Sequence, residues 1–249
     1  MIPKVAIKPI IEIKSLSKSF GNNHVLDGFH LTLNEGENLV VMGKSGSGKS
    51  VMIKCLIGLE QPDNGSIIIM GKDMSNITSE DLDEIRTEVG FLFQGSALYD
   101  SMSVRENLEF PLRRHTKKFG VIEDTTPLVL EALKNVGLEN TMDLMPNELS
   151  GGMKRRIALA RTLILQPKII LYDEPTTGLD PITSKEIILL MKSIQEKYKT
   201  SSIIITHDID CARVIANRMI LLIDGINYAE GTFEELAKSK DPKIEAFFK

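Results

Sequence analysis

Residues 43–50 have the types and spacing of a phosphate-binding loop. They read Gly43-Lys44-Ser45-Gly46-Ser47-Gly48-Lys49-Ser50, which fits the pattern G-x-x-x-x-G-K-[ST]. Glycines let the backbone curl so that N–H groups point at phosphate oxygens, and the positive end of the following helix adds to the attraction. In this pattern the lysine reaches the terminal phosphates and the final serine holds Mg²⁺. The loop therefore predicts a nucleoside triphosphate as the ligand.

The segments around this loop suit that role. The apolar run Leu39 to Met42 precedes it, and a helix is predicted from Val51 to Leu59 after it. Two more continuous apolar runs, Ile169 to Tyr172 and Ile203 to Ile205, are typical of parallel strands covered on both faces. Ligands of open α/β sheets lie beyond the carboxyl ends of the strands. The residues that follow the three runs are therefore expected to meet at one site.

Polar residues follow the second and third runs directly. Asp173 and Glu174 end the second run, and Thr206 and His207 end the third. Asp173 is placed to hold the metal through water, while Glu174 is placed to polarise the water that attacks the γ-phosphate. The alternative interpretations are a solvated turn before Pro175 and a structural histidine.

A second glycine-rich segment leads into a helix farther along the chain. Its residues Ser150, Gly151 and Gly152 offer a hydroxyl and uncovered backbone N–H groups, as a phosphate cradle does. A γ-phosphate held by the first loop does not need a second cradle from the same chain. An ordinary helix N-terminus is the alternative interpretation of this segment taken alone.

Together these motifs resemble the ATP-binding-cassette (ABC) ATPase family, over nearly the whole chain. The resemblance implies ATP and Mg²⁺ as ligands and a second copy of the chain, whose Ser150 to Gly152 segment completes the ATP site. It implies catalytic roles for Lys49, Gln94, Glu174 and His207. It implies that Mg²⁺ is held by Ser50, Gln94 and Asp173.

Other positions match the family pattern less specifically. Phe20 is expected to stack on adenine, with a place in a hairpin core as the alternative. Asp180 ends the loop Gly178 to Asp180, through which two subunits are expected to contact each other's sites. Three arginines on the helix after the second cradle are interpreted as a solvated or structural face: Arg155, Arg156 and Arg161.

The predicted architecture is an α/β P-loop fold with a mainly parallel core sheet, in one domain over residues 1–249. The core is expected at about 1–93 and 151–249, an inserted helical subdomain at about 94–150, and a helical tail at about 232–249. Alternating runs predict an N-terminal antiparallel subdomain from Ile10 to Lys14, Val25 to Leu33 and Ile67 to Met70.

Local signals set several boundaries in the second half of this architecture. Ser103 with Glu106 predicts a capping box, and the helix that it opens is expected to stop at Pro111. A helix is predicted from Leu128 to Val136, closed by Gly137. Asp224 and Gly225 predict a hairpin, Thr232 with Glu235 a second capping box, and Asp241-Pro242 a last short helix.

Composition narrows the classes of function. The net charge of −4 over 249 residues provides no overall basic footprint, so no nucleic-acid partner is expected. Cys55 and Cys211 lack the paired spacing of a zinc site or a disulfide framework. No apolar run approaches the roughly 18 to 20 residues of a spanning helix, and the start of the chain does not resemble a signal peptide. The expected location is the cytoplasm, peripheral on the cytoplasmic face of the inner membrane.

Two segments resemble the Mla-type lipid-transport ATPases, which act with MCE-domain proteins. One is Phe93 to Val104, running on to residues 110–113, and the other has Met153 where many importers have glutamine. One departure is the order Gly95-Ser96, where the resemblance predicts Ser-Gly. The implied partners are an integral membrane permease that docks near Gly95 to Val104, an MCE-domain protein and phospholipid.

Three alternatives stay open beside a lipid transporter. The first is a cassette for another cargo, as in amino-acid import or lipoprotein release. The second is a soluble ABC protein that acts on nucleic acid or ribosomes, and the third is a nucleotide-binding regulator without turnover. As a further hypothesis, the apolar end Phe247-Phe248 packs either on its own domain or across a dimer.

Overall fold

The computed structural model describes residues 9–116 and 120–249. The expectation about the start of the chain falls on residues 1–8, which lie outside this part. The strands are β1 (Pro9–Phe20), β2 (Asn23–Asn34), β3 (Asn38–Met42), β4 (Asn64–Ile69), β5 (Lys72–Asp73), β6 (Val89–Leu92), β7 (Ile169–Asp173), β8 (Ser201–Ile205), β9 (Arg218–Ile223) and β10 (Ile226–Gly231). The helices are α1 (Lys49–Leu56), α2 (Ser79–Glu88), α3 (Val104–Arg114), α4 (Thr126–Asn135), α5 (Gly151–Leu163), α6 (Pro181–Tyr198), α7 (Ile209–Ile215), α8 (Phe233–Ala237) and α9 (Pro242–Glu245).

The six-stranded sheet has the order β10-β9-β3-β8-β7-β6. Its strands from β9 to β6 run parallel, and β10 joins antiparallel through the hairpin at Asp224-Gly225. Every residue of β3 and β8 is buried, which explains why Leu39 to Met42 and Ile203 to Ile205 are apolar without alternation. The predicted parallel sheet and hairpin are confirmed.

A second, antiparallel sheet has the order β2-β1-β4-β5, as the alternating runs predict. Its inward residues, such as Leu16 and Phe29, share one core with Leu39 and Val41 of β3 and with α1. The opposite face of the parallel sheet is covered by α5, α6 and α7. A third core joins α3, α4 and α5 around Leu108 and Leu133. The fold is thus the mixed α/β arrangement that the sequence predicts.

Helix boundaries differ from the prediction at two places. Helix α1 covers Lys49–Leu56 instead of Val51 to Leu59, because Gly58 leaves the helical region with φ +68°. Pro111 does not stop α3, which continues to Arg114. An interior proline costs about 3 kcal/mol, but stopping there would expose Leu112, whose burial is worth about 1.5 to 3 kcal/mol. The capping box and the burial of the next turn together keep the helix intact.

Other local predictions are confirmed. Ser103 and Glu106 form a reciprocal capping box at α3, and Thr232 and Glu235 form one at α8. Helix α4 ends before Gly137, which has φ +68°. Within residues 9–116 and 120–249, no helix is long and apolar enough to cross a bilayer.

Candidate nucleotide site

The loop at residues 43–50 connects β3 to α1 in a conformation that requires glycine. A Cβ on Gly43 would lie 2.3 Å from the Ser47 Oγ and 2.7 Å from the Leu222 carbonyl oxygen. Gly48 has φ +104°, and a Cβ there would lie 2.7 Å from the Val25 carbonyl oxygen. Helix α1 has no side-chain cap, and the buried Ser47 Oγ has no hydrogen-bond partner. Uncapped N–H groups and an unpaired hydroxyl in a loop of glycines suit a phosphate ligand.

Lys49 places its ammonium group within this loop. The side chain is buried, and Nζ donates hydrogen bonds to the carbonyl oxygens of Gly43, at 2.7 Å, and Lys44, at 3.0 Å. Burial lowers the pKa of Lys49, while the charges of Glu174 and Asp173 oppose that shift. The lysine therefore lies at the junction of the loop and the two carboxylates.

Asp173 and Glu174 occupy the end of β7, next to the loop. Burial raises the pKa of Asp173, as does the neighbouring charge of Glu174, and Lys49 acts in the opposite direction. Glu174 has the left-handed φ of +49°, and its N–H donates to the Ile205 carbonyl oxygen at 2.9 Å. The strand β8 therefore supports the backbone of Glu174 in a conformation that a non-glycine residue rarely adopts.

His207 follows β8 and reaches Glu174. Its Nδ1 lies 2.7 Å from Glu174 Oε2, which also accepts a 3.1 Å hydrogen bond from Thr177 Oγ1. The imidazole is exposed, whereas the carboxylate is mostly buried. The structure thus brings together Lys49, Asp173, Glu174 and His207, as the convergence of strand ends predicts.

Gln94 lies at the same sheet edge, two residues beyond the end of β6. Its side chain is exposed, and the last pair of the β6 and β7 ladder joins Leu92 to Tyr172, directly before Asp173. Phe20 ends β1 and is 47% exposed, which contradicts the alternative of a hairpin core residue. Near it, a cavity of about 730 Å³ is bordered by Asn23, His24 and the loop residues Lys44 to Ser47.

The second glycine-rich segment lies at the start of α5, with Ser150 as the N-cap residue before Gly151 and Gly152. Within the described residues, none of the three forms a hydrogen bond to residues 43–50. The Ser150 Oγ accepts from the Met153 N–H at 3.2 Å. Asp180 caps α6 by accepting from the N–H groups of Ile182 and Thr183, and the side-chain bond from Thr183 lowers its pKa. Ser150 and Asp180 therefore each cap a helix within one chain, in addition to the role that the resemblance implies.

The three arginines of α5 are structural, and two of them bind the backbone of the segment that follows β6. Arg155 is buried and donates to the carbonyl oxygens of Phe93 and Gln94. Arg161 donates to those of Ser96 and Ala97. Arg156 instead donates to Val136 and Glu186. The apolar run Ile157 to Ala160 could have indicated these contacts. It marks α5 as a buried helix, and arginines on a buried helix must find hydrogen-bond acceptors.

Comparisons with known proteins agree with this geometry. A family model described as ABC transporter matches residues 26–177. The chain is 42% identical over 237 residues to the "probable ribonucleotide transport ATP-binding protein mkl" of Mycobacterium tuberculosis, covering 95% of this chain and 66% of that protein. It is 38% identical over 241 residues to the "intermembrane phospholipid transport system ATP-binding protein MlaF" of Haemophilus influenzae, covering 96% of this chain and 90% of that protein.

Relatives with other names and a solved structure are similar as well. The "methionine import ATP-binding protein MetN" of Clostridium tetani is 41% identical over 216 residues, covering 87% of this chain and 67% of that protein. The ATP-binding cassette MJ0796, solved as a dimer with ADP and phosphate, has a TM-score of 0.80 and 35% identity, covering 90% of this chain and 98% of that one. The chain spans 66% of the length of the mkl relatives that it matches. It belongs to the ABC transporter family, and its fold is that of the family's ATP-binding cassette.

Proposed function

We propose that this chain is the ATP-hydrolysing subunit of a transporter that moves phospholipid between membranes, with an integral membrane permease and an MCE-type partner. The observation that carries the ATPase part is the pair of Glu174 and His207, 2.7 Å apart beside the buried Lys49. A base, a cation and a glycine-rich phosphate loop at one sheet edge are the parts that phosphoryl transfer to water needs.

Glu174 is the proposed general base, and its neighbours position it. An ionised carboxylate can only accept hydrogen bonds, so the Nδ1 of His207 must carry the proton that it donates to Glu174 Oε2. Nε2 of the exposed imidazole would donate to a γ-phosphate oxygen when the ring carries both protons, since the neutral ring with its proton on Nδ1 offers only a lone pair there. Thr177 holds the same carboxylate oxygen, which leaves the other oxygen to polarise water.

The phosphate chain is proposed to bind across the loop at 43–50, with adenine against Phe20. Lys49 would exchange its bonds to the Gly43 and Lys44 carbonyl oxygens for bonds to phosphate. The donor set Ser50, Asp173 and Gln94 offers hydroxyl, carboxylate and amide oxygens, which suit Mg²⁺. When bound there, Mg²⁺ would neutralise charge on the phosphates.

A second copy of the chain is proposed to complete the site. Ser150 and Gly151 are exposed at the start of α5 and make no hydrogen bond to their own chain's loop in the described residues. The cassette MJ0796 is solved as a dimer, which supports the same pairing here. ATP would favour the closed pair only by binding it more tightly than the open one. Asp180 is proposed to lie at this contact between copies.

A patch of exposed aromatic side chains supports a docking surface for a permease near Gly95 to Val104. Phe93 and Tyr99 are each 43% exposed and Phe110 is 36% exposed. The rings of Tyr99 and Phe110 lie 4.8 Å apart on an open cavity of about 460 Å³ between the sheet and the helices. Exposed clustered aromatics mark interaction sites. The permease would hold the chain on the cytoplasmic face of the inner membrane.

The phospholipid cargo rests on the similarity to MlaF, which extends over nearly the full length of both chains. The second candidate is a cassette for amino-acid import, because MetN is about as similar. Both relatives are named as ATP-binding proteins, so the identity of the partners must distinguish the two candidates.

The test is to purify the tagged chain from its native membranes and identify bound proteins and lipids by mass spectrometry. Recovery of a permease with an MCE-domain protein and phospholipid is expected. Recovery of an amino-acid import permease would support the second candidate, and recovery of no integral membrane protein would contradict both. As controls, Tyr99→Ala should lose the permease, whereas Leu130→Ala, which removes an exposed leucine outside the cavity, should keep it.

A further inference from the structure

The segment from Phe93 to Ser103, between β6 and α3, contains two consecutive residues in the left-handed region. Ser96 has φ +62° and Ala97 has φ +49°, whereas Gly95 does not have a positive φ. Left-handed backbone is disfavoured for residues with a Cβ, so neighbouring contacts must hold it. The order Gly95-Ser96, in place of the Ser-Gly that the resemblance predicts, therefore puts the glycine one residue away from the strained position.

Arg161 of α5 provides that contact. Its two terminal nitrogens donate separately to the Ala97 carbonyl oxygen, at 2.8 Å, and the Ser96 carbonyl oxygen, at 3.1 Å. Its guanidinium carbon lies 5.9 Å from the centre of the Tyr99 ring. A planar group with several donors can bond two carbonyls in fixed directions, and a lysine ammonium cannot reproduce that geometry.

The rest of the segment is held at both ends by buried side chains. Arg155 donates to the Phe93 and Gln94 carbonyl oxygens and, at 3.4 Å, to that of Thr177, close to Glu174. The fully buried Asn107 accepts from the Tyr99 N–H at 2.8 Å and donates to the Met102 carbonyl oxygen at 3.0 Å. The segment is thus a shaped surface attached to α5 and α3.

Helix α5 begins at the Ser150 to Gly152 cradle and carries Arg161 ten residues beyond Gly151. Its 13 residues form one helix of about 20 Å. A displacement of the cradle must therefore move the Arg161 guanidinium and the two carbonyl oxygens bound to it. The cradle and the docking segment are the two surfaces that the proposed function assigns to different partners.

We propose that Arg161 is a positioning residue that transmits the nucleotide state of the Ser150 to Gly152 cradle to the docking segment at Ser96-Ala97. This inference rests on the proposed function, because it assumes that a second copy's ATP binds the cradle. In the ATP-bound pair the bonds of Arg161 keep the segment in its left-handed shape. Without the guanidinium the segment relaxes independently of α5.

Hydrogen–deuterium exchange of residues 96–103 tests the proposal without a permease. The full chain carries Glu174→Gln, so that ATP persists, and is compared with and without ATP. We expect ATP to slow exchange at least about tenfold in this parent and less than about twofold after Arg161→Lys. The matched control is Arg156→Lys, on the same helix, whose arginine bonds Val136 and Glu186 instead. It should retain the tenfold protection.

A second variant keeps the test independent of damage to the fold. Ser96→Gly adopts φ +62° without strain, so in the Arg161→Lys background it should relieve the strain but leave the effect of ATP on exchange below about twofold. Recovery of the tenfold protection there would show that Arg161 only holds the backbone shape, and it would overturn the inference. Equal protection in the Arg161→Lys protein and the parent would overturn the inference alone, as would equal loss after Arg156→Lys. Sedimentation of the same samples measures pairing, and a parent that does not dimerise with ATP would overturn the proposed function together with the inference.

Discussion

The Nδ1 of His207 lies 2.7 Å from Oε2 of Glu174, and both residues stand at the ends of neighbouring parallel strands. Thirty-three positions separate them in the chain. The histidine can orient the carboxylate only because β7 and β8 pair in register, from Ile169 opposite Ser201 to Asp173 opposite Ile205. A one-residue slip would send one of the two side chains to the opposite face of the sheet.

Glu174→Gln should stop turnover while ATP binding persists. A glutamine side chain fits the same space but cannot accept a proton from water, so kcat should fall about 10²- to 10⁴-fold. Steady-state hydrolysis and nucleotide titration measure the two effects. The control Glu186→Gln changes an exposed glutamate that pairs with Arg156 and should leave kcat within about twofold. Full turnover in the Glu174→Gln protein would contradict its role as the base.

His207→Ala should lower kcat with a smaller effect on the KM for ATP. The change removes the donor that orients Glu174 Oε2 and the imidazole proposed to contact the γ-phosphate. The loss of both interactions should lower kcat about 10- to 10³-fold. The full dependence of rate on ATP concentration separates kcat from KM. A rise in KM at unchanged kcat would show that the histidine only contributes to binding.

Gly48→Ala should damage the phosphate loop more than Gly46→Ala. Both glycines have positive φ, which costs an alanine about 1 to 2 kcal/mol. Only at Gly48 would the new Cβ also lie 2.7 Å from the Val25 carbonyl oxygen, since nothing lies within 4 Å of the Cβ position at Gly46. Urea unfolding and ATP titration of both variants measure the difference. Equal losses would show that backbone conformation alone sets the requirement.

Both cysteines should resist thiol reagents in the folded chain. Burial raises the pKa of Cys55 to about 11 and that of Cys211 to about 12, and both are free thiols. At pH 8 the reactive thiolate is therefore scarce and enclosed, so labelling should follow global unfolding. Iodoacetamide labelling at increasing urea concentrations measures this. Rapid labelling of either thiol without urea would contradict the buried placement.

Phe248→Ala should lower the free energy of unfolding by about 1 to 2 kcal/mol. In this chain the tail packs on its own domain: the Phe248 ring centre lies 5.4 Å from that of Phe233, and the Tyr228 hydroxyl donates to Asp241 at 2.8 Å. Deletion of residues 241–249 should likewise destabilise the single chain. Sedimentation and urea unfolding separate the outcomes, because a weaker dimer at unchanged stability would show that the tail packs across the pair instead.

The sequence alone determined the phosphate loop, the three buried strands β3, β7 and β8, and the polar residues that follow each of them. Gly43 to Ser50, Asp173-Glu174 and Thr206-His207 stand directly after apolar runs, and strand ends of a parallel sheet share one edge. The capping boxes at Ser103 and Thr232 could also be predicted from the sequence, because their hydrogen bonds join residues only three positions apart. The prediction that α3 stops at Pro111 was wrong, because the capping box at Ser103 and the burial of Leu112, a tertiary effect, together offset the local preference of proline.

Only the tertiary structure decided which groups touch. The contact of His207 with Glu174 and the bonds from Arg155 and Arg161 to backbone carbonyl oxygens all depend on how distant segments pack. Sequence patterns report periodicity within about one element, whereas these bonds span up to 65 positions. An arginine on a helix could equally face water, and only the packing of the sheet and helices decides that Arg155 and Arg161 donate to the backbone of another segment.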